Sequence, residues 1–218
     1  MELTLDFFSI FRYTLCTMRV ILVHGFNADP TMNFHQWLAN ELRDRGFEVL
    51  TPTLSLKSGD ELDPLKIIEE LKTQVGFLKK DDILLGHSLG GVVVLRYLEA
   101  AEMTETPRAV ILVASPWKVA RPDLRHFFLD ELDTDVVMWK AREFVVIHST
   151  DDKLVPIEHG KKLAEVLKAR FIQTNSDDQF MAEQYSILLQ TIEDIATHPH
   201  EYEPGNGLSN VYEEKPVS

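Results

Sequence analysis

Ile83-Leu84-Leu85-Gly86-His87-Ser88-Leu89-Gly90-Gly91-Val92-Val93-Val94-Leu95 is the stretch that decides the fold. A short β-rich run, Ile83-Leu84-Leu85, enters a pentapeptide of the pattern G-x-S-x-G, and an apolar run of helical character, Val92 to Leu95, leaves it. Such an abrupt strand-to-helix turn strains the backbone of the central residue and projects its side chain from the sheet edge. The small residues on either side let strand and helix approach closely. Ser88 then stands at a helix N-terminus, where free N–H groups and the helix dipole favour developing negative charge. The competing reading is a glycine-rich turn of a nucleotide-binding fold. Neither a G-x-G-x-x-G fingerprint nor a phosphate-loop lysine accompanies it.

On both sides of this stretch, β-rich runs alternate with helical patterns. The runs are 19–23, 47–50, 83–86, 109–113, 143–148 and 170–173. Several are unbroken apolar strings, as in Val20-Ile21-Leu22-Val23, and strands buried on both faces of a parallel sheet have this character. Between them, Trp37, Leu38 and Leu42, then Leu65, Ile68, Leu71 and Val75, then Leu163, Val166 and Leu167 recur at helical spacing. A last helix holds Tyr185, Ile187, Leu188 and Ile192. The alternation predicts a three-layer α/β fold: a mainly parallel sheet of about six strands, right-handed crossovers and helices on both faces. The segment 115–140 is long for a connection and predicts one helix or a small flap, hence a minimal cap.

The chain has 218 residues, 44% of them hydrophobic, which suits one soluble domain of ordinary size. Asp plus Glu number 35 against 22 Lys plus Arg, a net charge of −13. That excess repels phosphate backbones and argues against a nucleic-acid partner. Cys16 is the single cysteine, so no intrachain disulfide can form and the cytoplasm is the simplest setting. Residues 1–17 carry an apolar cluster with Glu2 and Asp6 ahead of it and Arg12 within it. This suits neither a secretory signal nor a membrane span; it reads as an uncertain N-terminal extension, with Met18 an alternative start. Residues 18–197 form the predicted domain. Residues 198–218, broken by Pro199, Pro204 and Pro216 and rich in Glu, read as a flexible acidic tail.

Two further segments belong at the edge where Ser88 emerges. His24-Gly25-Phe26 follows the first strand, and the Phe26 N–H pairs naturally with that of Leu89 as an oxyanion hole, each donor contributing about 3 kcal/mol. His24 itself is expected to shape the loop, not to act as a base. His148 to Pro156 follows the fifth strand and contains Asp151 and Asp152. A carboxylate at this point is the expected orienting acid, and Asp152 of D-x-x-V-P is preferred to Asp151, although either could instead cap the following helix. No His/Cys cluster has metal-ligand spacing, so neither metal nor cofactor is expected.

Taken together, HGF after the first strand, GHSLGG in the middle and STDDKLVP near residue 150 resemble the α/β-hydrolase superfamily. They are similar in particular to the small serine hydrolases of the retinoblastoma-binding protein 9 and YdeN-like family. The resemblance implies a Ser88 nucleophile, an Asp152 acid and a sheet without a large lid. It also implies a histidine base in a G-H-F sequence after the last strand. This chain reads Ser176-Asp177-Asp178-Gln179-Phe180 there, so Gln179 replaces the expected histidine. A carboxamide cannot take the serine proton at neutral pH. His159, in the helix after Asp152, is the substitute base to consider; His198 and His200 lie farther along, and His87 should be pinned inside the turn. Two functions therefore stand side by side: an esterase-type serine hydrolase acting on small esters or amides, or a pseudohydrolase that binds a ligand or a protein partner.

Overall fold

The structure is a computed structural model and describes residues 18–59, 62–103, 105–119, 121–128 and 131–198. The predicted extension 1–17, His200 and the tail from 199 lie outside the described residues. Six strands form one sheet: β1 (Arg19–Val23), β2 (Glu48–Leu50), β3 (Ile83–His87), β4 (Ala109–Val113), β5 (Glu143–Ser149) and β6 (Arg170–Thr174). Their order is β2-β1-β3-β4-β5-β6, and every pairing is parallel. The helices are α1 (His35–Asp44), α2 (Pro64–Val75), α3 (Leu89–Ala100), α4 (Thr134–Val137), α5 (Ile157–Leu167) and α6 (Ser186–Thr197).

The unbroken apolar strings follow from this layering. Successive strand side chains point to opposite faces, and both faces are covered. Ile21, Leu84, Val110, Leu112 and Val146 pack against α2, α3 and α5, whereas Val20, Leu22, Leu85, Ile111 and Ile147 pack against α1 and α6. The predicted flap resolves into a 3-10 turn at Arg125–Phe128 and the single-turn α4. Below the sheet's opposite edge a buried ion pair closes the structure: Arg19 donates through Nε to Asp82 Oδ1 at 2.8 Å and through Nη2 to Oδ2 at 2.5 Å.

Strand order positions the site. The chain leaves β1 in one direction to form β2 and returns on the other side to form β3. The loops after β1 and β3 therefore diverge at a topological switch point, where open α/β sheets form their crevices.

Candidate active site

Ser88 caps α3 with φ 51° and ψ −123°, a left-handed conformation that non-glycine residues avoid. The surrounding packing forces it. A Cβ on Gly86 would stand 2.5 Å from the Cα of Gly91, and a Cβ on Gly90 would stand 2.5 Å from the Val23 carbonyl oxygen. Glycine at both places lets α3 start directly against β3 and β1. The Ser88 N–H donates to the Val113 carbonyl at 2.8 Å, fixing the turn across to the end of β4. Ser88 is half-buried, while its neighbours His87 and Leu89 are buried.

His24 is fully buried and holds the loop after β1. The Leu54 N–H donates to His24 Nε2 at 3.1 Å, so the imidazole proton resides on Nδ1, which donates to the Gly25 carbonyl at 2.9 Å. In a trans peptide C=O and N–H point in opposite directions. The Gly25–Phe26 unit, with its oxygen turned to His24, therefore turns the Phe26 N–H away from it. A Cβ on Gly25 would lie 3.1 Å from Ser88 Cβ, so this loop and the serine are in contact distance. Burial lowers the His24 pKa and keeps the ring neutral. The guanidinium of Arg121, on the flap, stands 4.9 Å over the Phe26 ring.

Asp152 is buried, and its Oδ1 accepts from the Leu154 N–H at 2.9 Å and the Val155 N–H at 2.8 Å. His148 Nε2 approaches Oδ2 at 3.3 Å, but its shorter bond, 2.7 Å, goes to the Val155 carbonyl. Oδ2 accepts no hydrogen bond from the described residues. Asp151 is exposed and does something different: its Oδ1 accepts from Ser149 Oγ at 2.5 Å, from the Ser176 N–H at 3.1 Å and from the Asp178 N–H at 3.0 Å. It thus holds the loop that carries residue 179, in which Ser176, Asp178 and Phe180 all have positive φ. These donated hydrogen bonds, that of Ser149 first, lower its pKa.

Gln179 is buried. Its Nε2 donates to the Ala114 carbonyl at 3.0 Å, one residue beyond the carbonyl that accepts from Ser88. Its own carbonyl accepts from His87 Nε2 at 2.8 Å. His87 is therefore pinned, as expected, with burial pushing its pKa down to about 4. His159 Nδ1 accepts from the Trp117 N–H at 3.1 Å and lies 3.4 Å from that of Lys118. That lone pair is engaged by the flap, which leaves the neutral ring's proton on Nε2. Burial, and next the neighbouring His148, lower its pKa. His198 is exposed and bonds within α6 to Thr197 Oγ1. Among the described residues no imidazole nitrogen is hydrogen-bonded to Ser88 Oγ.

A family model described as "Alpha/beta hydrolase family" matches residues 20–171, from β1 into β6. The chain belongs to the α/β-hydrolase family. Within it, YdeN of Bacillus subtilis (strain 168) is 26% identical over 188 residues, covering 83% of this chain and 95% of that protein. The crystal structure of the B. subtilis ydeN gene product superposes with a TM-score of 0.78 at 22% identity, over 83% of this chain and 100% of that one. An esterase from Thermogutta terrifontis, solved with malate bound, gives 0.67 at 17% identity over 84% and 90%. Est1E from Butyrivibrio proteoclasticus, solved with ferulic acid, gives 0.65 at 13% identity over 83% and 88%. These three structural likenesses are of fold. In this chain Ser88 stands at the turn after β3, His24-Gly25-Phe26 follows β1, Asp152 follows β5 and Gln179 follows β6. No described helix is long and apolar enough to cross a membrane.

Proposed function

We propose that the chain is an esterase-type serine hydrolase of small ester or amide substrates whose intrinsic base is absent. Without a base the Ser88 proton passes to solvent water, so acylation is slow and confined to activated acyl donors, whose alkoxide or phenolate departs as the acyl–serine bond forms; water then hydrolyses the acyl-enzyme slowly. Ser88 attacks the acyl carbon; the N–H groups of Leu89 and Phe26 stabilise the tetrahedral oxyanion, and Asp152 is the acid member. The observation that carries the proposal is the Ser88 backbone at φ 51°, ψ −123° on the N-terminus of α3. This strain of order 1–3 kcal/mol is retained beside a loop with a directed N–H. Membership of the α/β-hydrolase family and likeness to esterase folds support it. Loss of the base member of such a triad lowers turnover by roughly 10⁴–10⁶ and leaves oxyanion stabilisation and binding.

The second reading, a pseudohydrolase that binds a ligand or a protein, draws on Gln179. A buried carboxamide, which donates to the Ala114 carbonyl and whose Oε1 has no hydrogen-bond partner among the described residues, cannot move a proton as a base would. Two measurements separate the readings. A fluorophosphonate should label wild type and not Ser88→Ala; absence of a Ser88-dependent adduct at high probe concentration removes the nucleophile. Gln179→His should raise hydrolysis of p-nitrophenyl acetate about 10²-fold or more. A wild type that already hydrolyses generic esters, and is not accelerated by this change, would remove the idea of a missing base.

A further inference from the structure

We propose that the groove between the C-terminal ends of α2 and α3 is a docking site for the chain's own residues 7–15. The inference is independent of the chemistry of Ser88. The groove encloses about 700 Å³ and is lined by Ile68, Phe77, Leu78, Tyr97, Ala101 and Met103. Crossover helices run back from the edge where Ser88 emerges, so the groove lies at the opposite edge of the sheet, where β1 begins.

Three observations carry the assignment. First, the surface is apolar and continuous with the core. Ile68, Leu78 and Tyr97 are buried members of the core between the sheet and α2–α3, whereas the Phe77 ring at the mouth is 85% exposed. Gly76, with φ 69°, has nothing within 4 Å of where a Cβ would stand, so the backbone ahead of Phe77 is open to an approaching chain. A lone exposed ring needs no explanation, but one set at the mouth of an apolar groove marks a surface that is covered. Second, the segment joins the fold beside this mouth. Arg19, the first residue of β1, donates through Nη1 to the Val75 carbonyl at 3.2 Å and through Nη2 to the Phe77 carbonyl at 2.8 Å. Leu15 and Phe11 precede Arg19 by four and eight residues. At no more than about 3.6 Å per residue they reach up to roughly 14 and 29 Å from it, enough to span the groove.

Third, the composition of the segment matches the groove. Phe7, Phe8, Ile10, Phe11, Tyr13 and Leu15 are apolar or aromatic, and aromatic side chains bury about 150–250 Å² each. Arg12, which interrupts them, is the one Arg or Lys of residues 1–17. Glu102 on the groove's edge is exposed and has no ion-pair partner among the described residues, so the cation that breaks the apolar run meets a carboxylate there. A chain begun at the alternative start, Met18, lacks this occupant and leaves the groove bare.

The test uses the full chain with changes on both sides of the contact: Phe77→Ser in the groove, and Phe8→Ser with Phe11→Ser in the segment. Neither set touches the interior of the domain. Each set should lower Tm by roughly 4 °C, and the two combined should lower it by about the same amount, because either one already releases the segment. Cys16 supplies the second readout: its labelling by a bulky maleimide should accelerate at least fivefold in each set. Additive losses, or a Tm and a labelling rate that do not move, overturn the proposal. So does a Tm that rises with protein concentration together with a dimer in sedimentation that Phe77→Ser removes and the segment changes leave intact, which makes a second copy the occupant.

Discussion

Acid should unfold this protein through histidines that surround the serine turn. His35 is buried, stacks on Phe34 at 4.5 Å between centroids, and has its ring centroid 5.7 Å from that of His87. Burial first, then the neighbouring His87, pushes its pKa down to about 3, and burial alone dominates the fall of His87 to about 4. Both rings therefore stay neutral in the folded chain at pH values where the unfolded chain, with an ordinary pKa of 6.5, takes up protons. Their neutrality contributes full stability above about pH 6.5, and this is lost as the pH falls toward the folded values. At pH 5, one and a half units below the unfolded value, each histidine costs about 2 kcal/mol. Together they remove about 4 kcal/mol, against a total of only 5–15 kcal/mol for a typical domain. Urea denaturation at pH 7.5 and pH 5.0, above the ordinary carboxylate range, reads this directly. His35→Phe keeps a ring against Phe34 and should lose about 2 kcal/mol less than wild type between the two pH values. Parallel losses in wild type and variant would refute the assignment of the acid sensitivity to these rings.

Other substitutions divide the structural from the chemical. Gly90→Ala drives a Cβ onto the backbone carbonyls of Val23 and His24, which cannot rotate away, and should cost about 3 kcal/mol in thermal denaturation. Asp82→Ala leaves the Arg19 guanidinium buried without its carboxylate, and chemical denaturation should show a loss of about 3–5 kcal/mol. Asp152→Ala strips the acceptor from the Leu154 and Val155 N–H groups and should destabilise by about 2 kcal/mol; Asp152→Asn keeps an oxygen for them and should melt near wild type.

The fold was largely legible because its signals are local. Strands buried on both faces announce themselves as apolar strings, and β1 and β4 coincide with the runs at 19–23 and 109–113. The helix α5 shows where legibility ends. Its apolar spacing starts at Leu163, yet it begins at Ile157, because its inward residue in the first turn is Gly160, packed where a Cβ would stand 2.6 Å from His148 Nδ1. A glycine contributes nothing to an apolar pattern, however essential its packing. The same holds for long-range pairing. The Leu54 N–H, 30 residues from His24, sets the tautomer of that ring, and Asp151 gathers the N–H groups of Ser176 and Asp178 from another strand's loop. Neither partner is marked in the sequence, so Asp151 read only as a second-choice acid. The left-handed residues at 176, 178 and 180 carry no glycine to reveal them.

The residues that spell the motif most clearly are also those the fold needs for its own sake. Gly86 and Gly90 are required by close backbone approach, whatever Ser88 does. His24 joins the Gly25 carbonyl to the Leu54 N–H, and Asp152 Oδ1 satisfies two N–H groups at the turn into α5. Each would resist replacement in a chain that had lost its chemistry, because removing it leaves a buried donor or acceptor unpaired at about 1–3 kcal/mol. Their presence therefore tests the scaffold more than the reaction. Position 179 is different. Its main-chain carbonyl, available from any residue, holds His87, and its side chain makes one bond to the Ala114 carbonyl that a glutamine can supply. The side chain at 179 is thus only half satisfied by the fold, its Nε2 donating to Ala114 and its Oε1 buried without a hydrogen-bond partner among the described residues. A search for function in this family gains more from that single position than from the whole G-x-S-x-G turn, and Gln179→His is for that reason a sharper experiment than removal of Ser88.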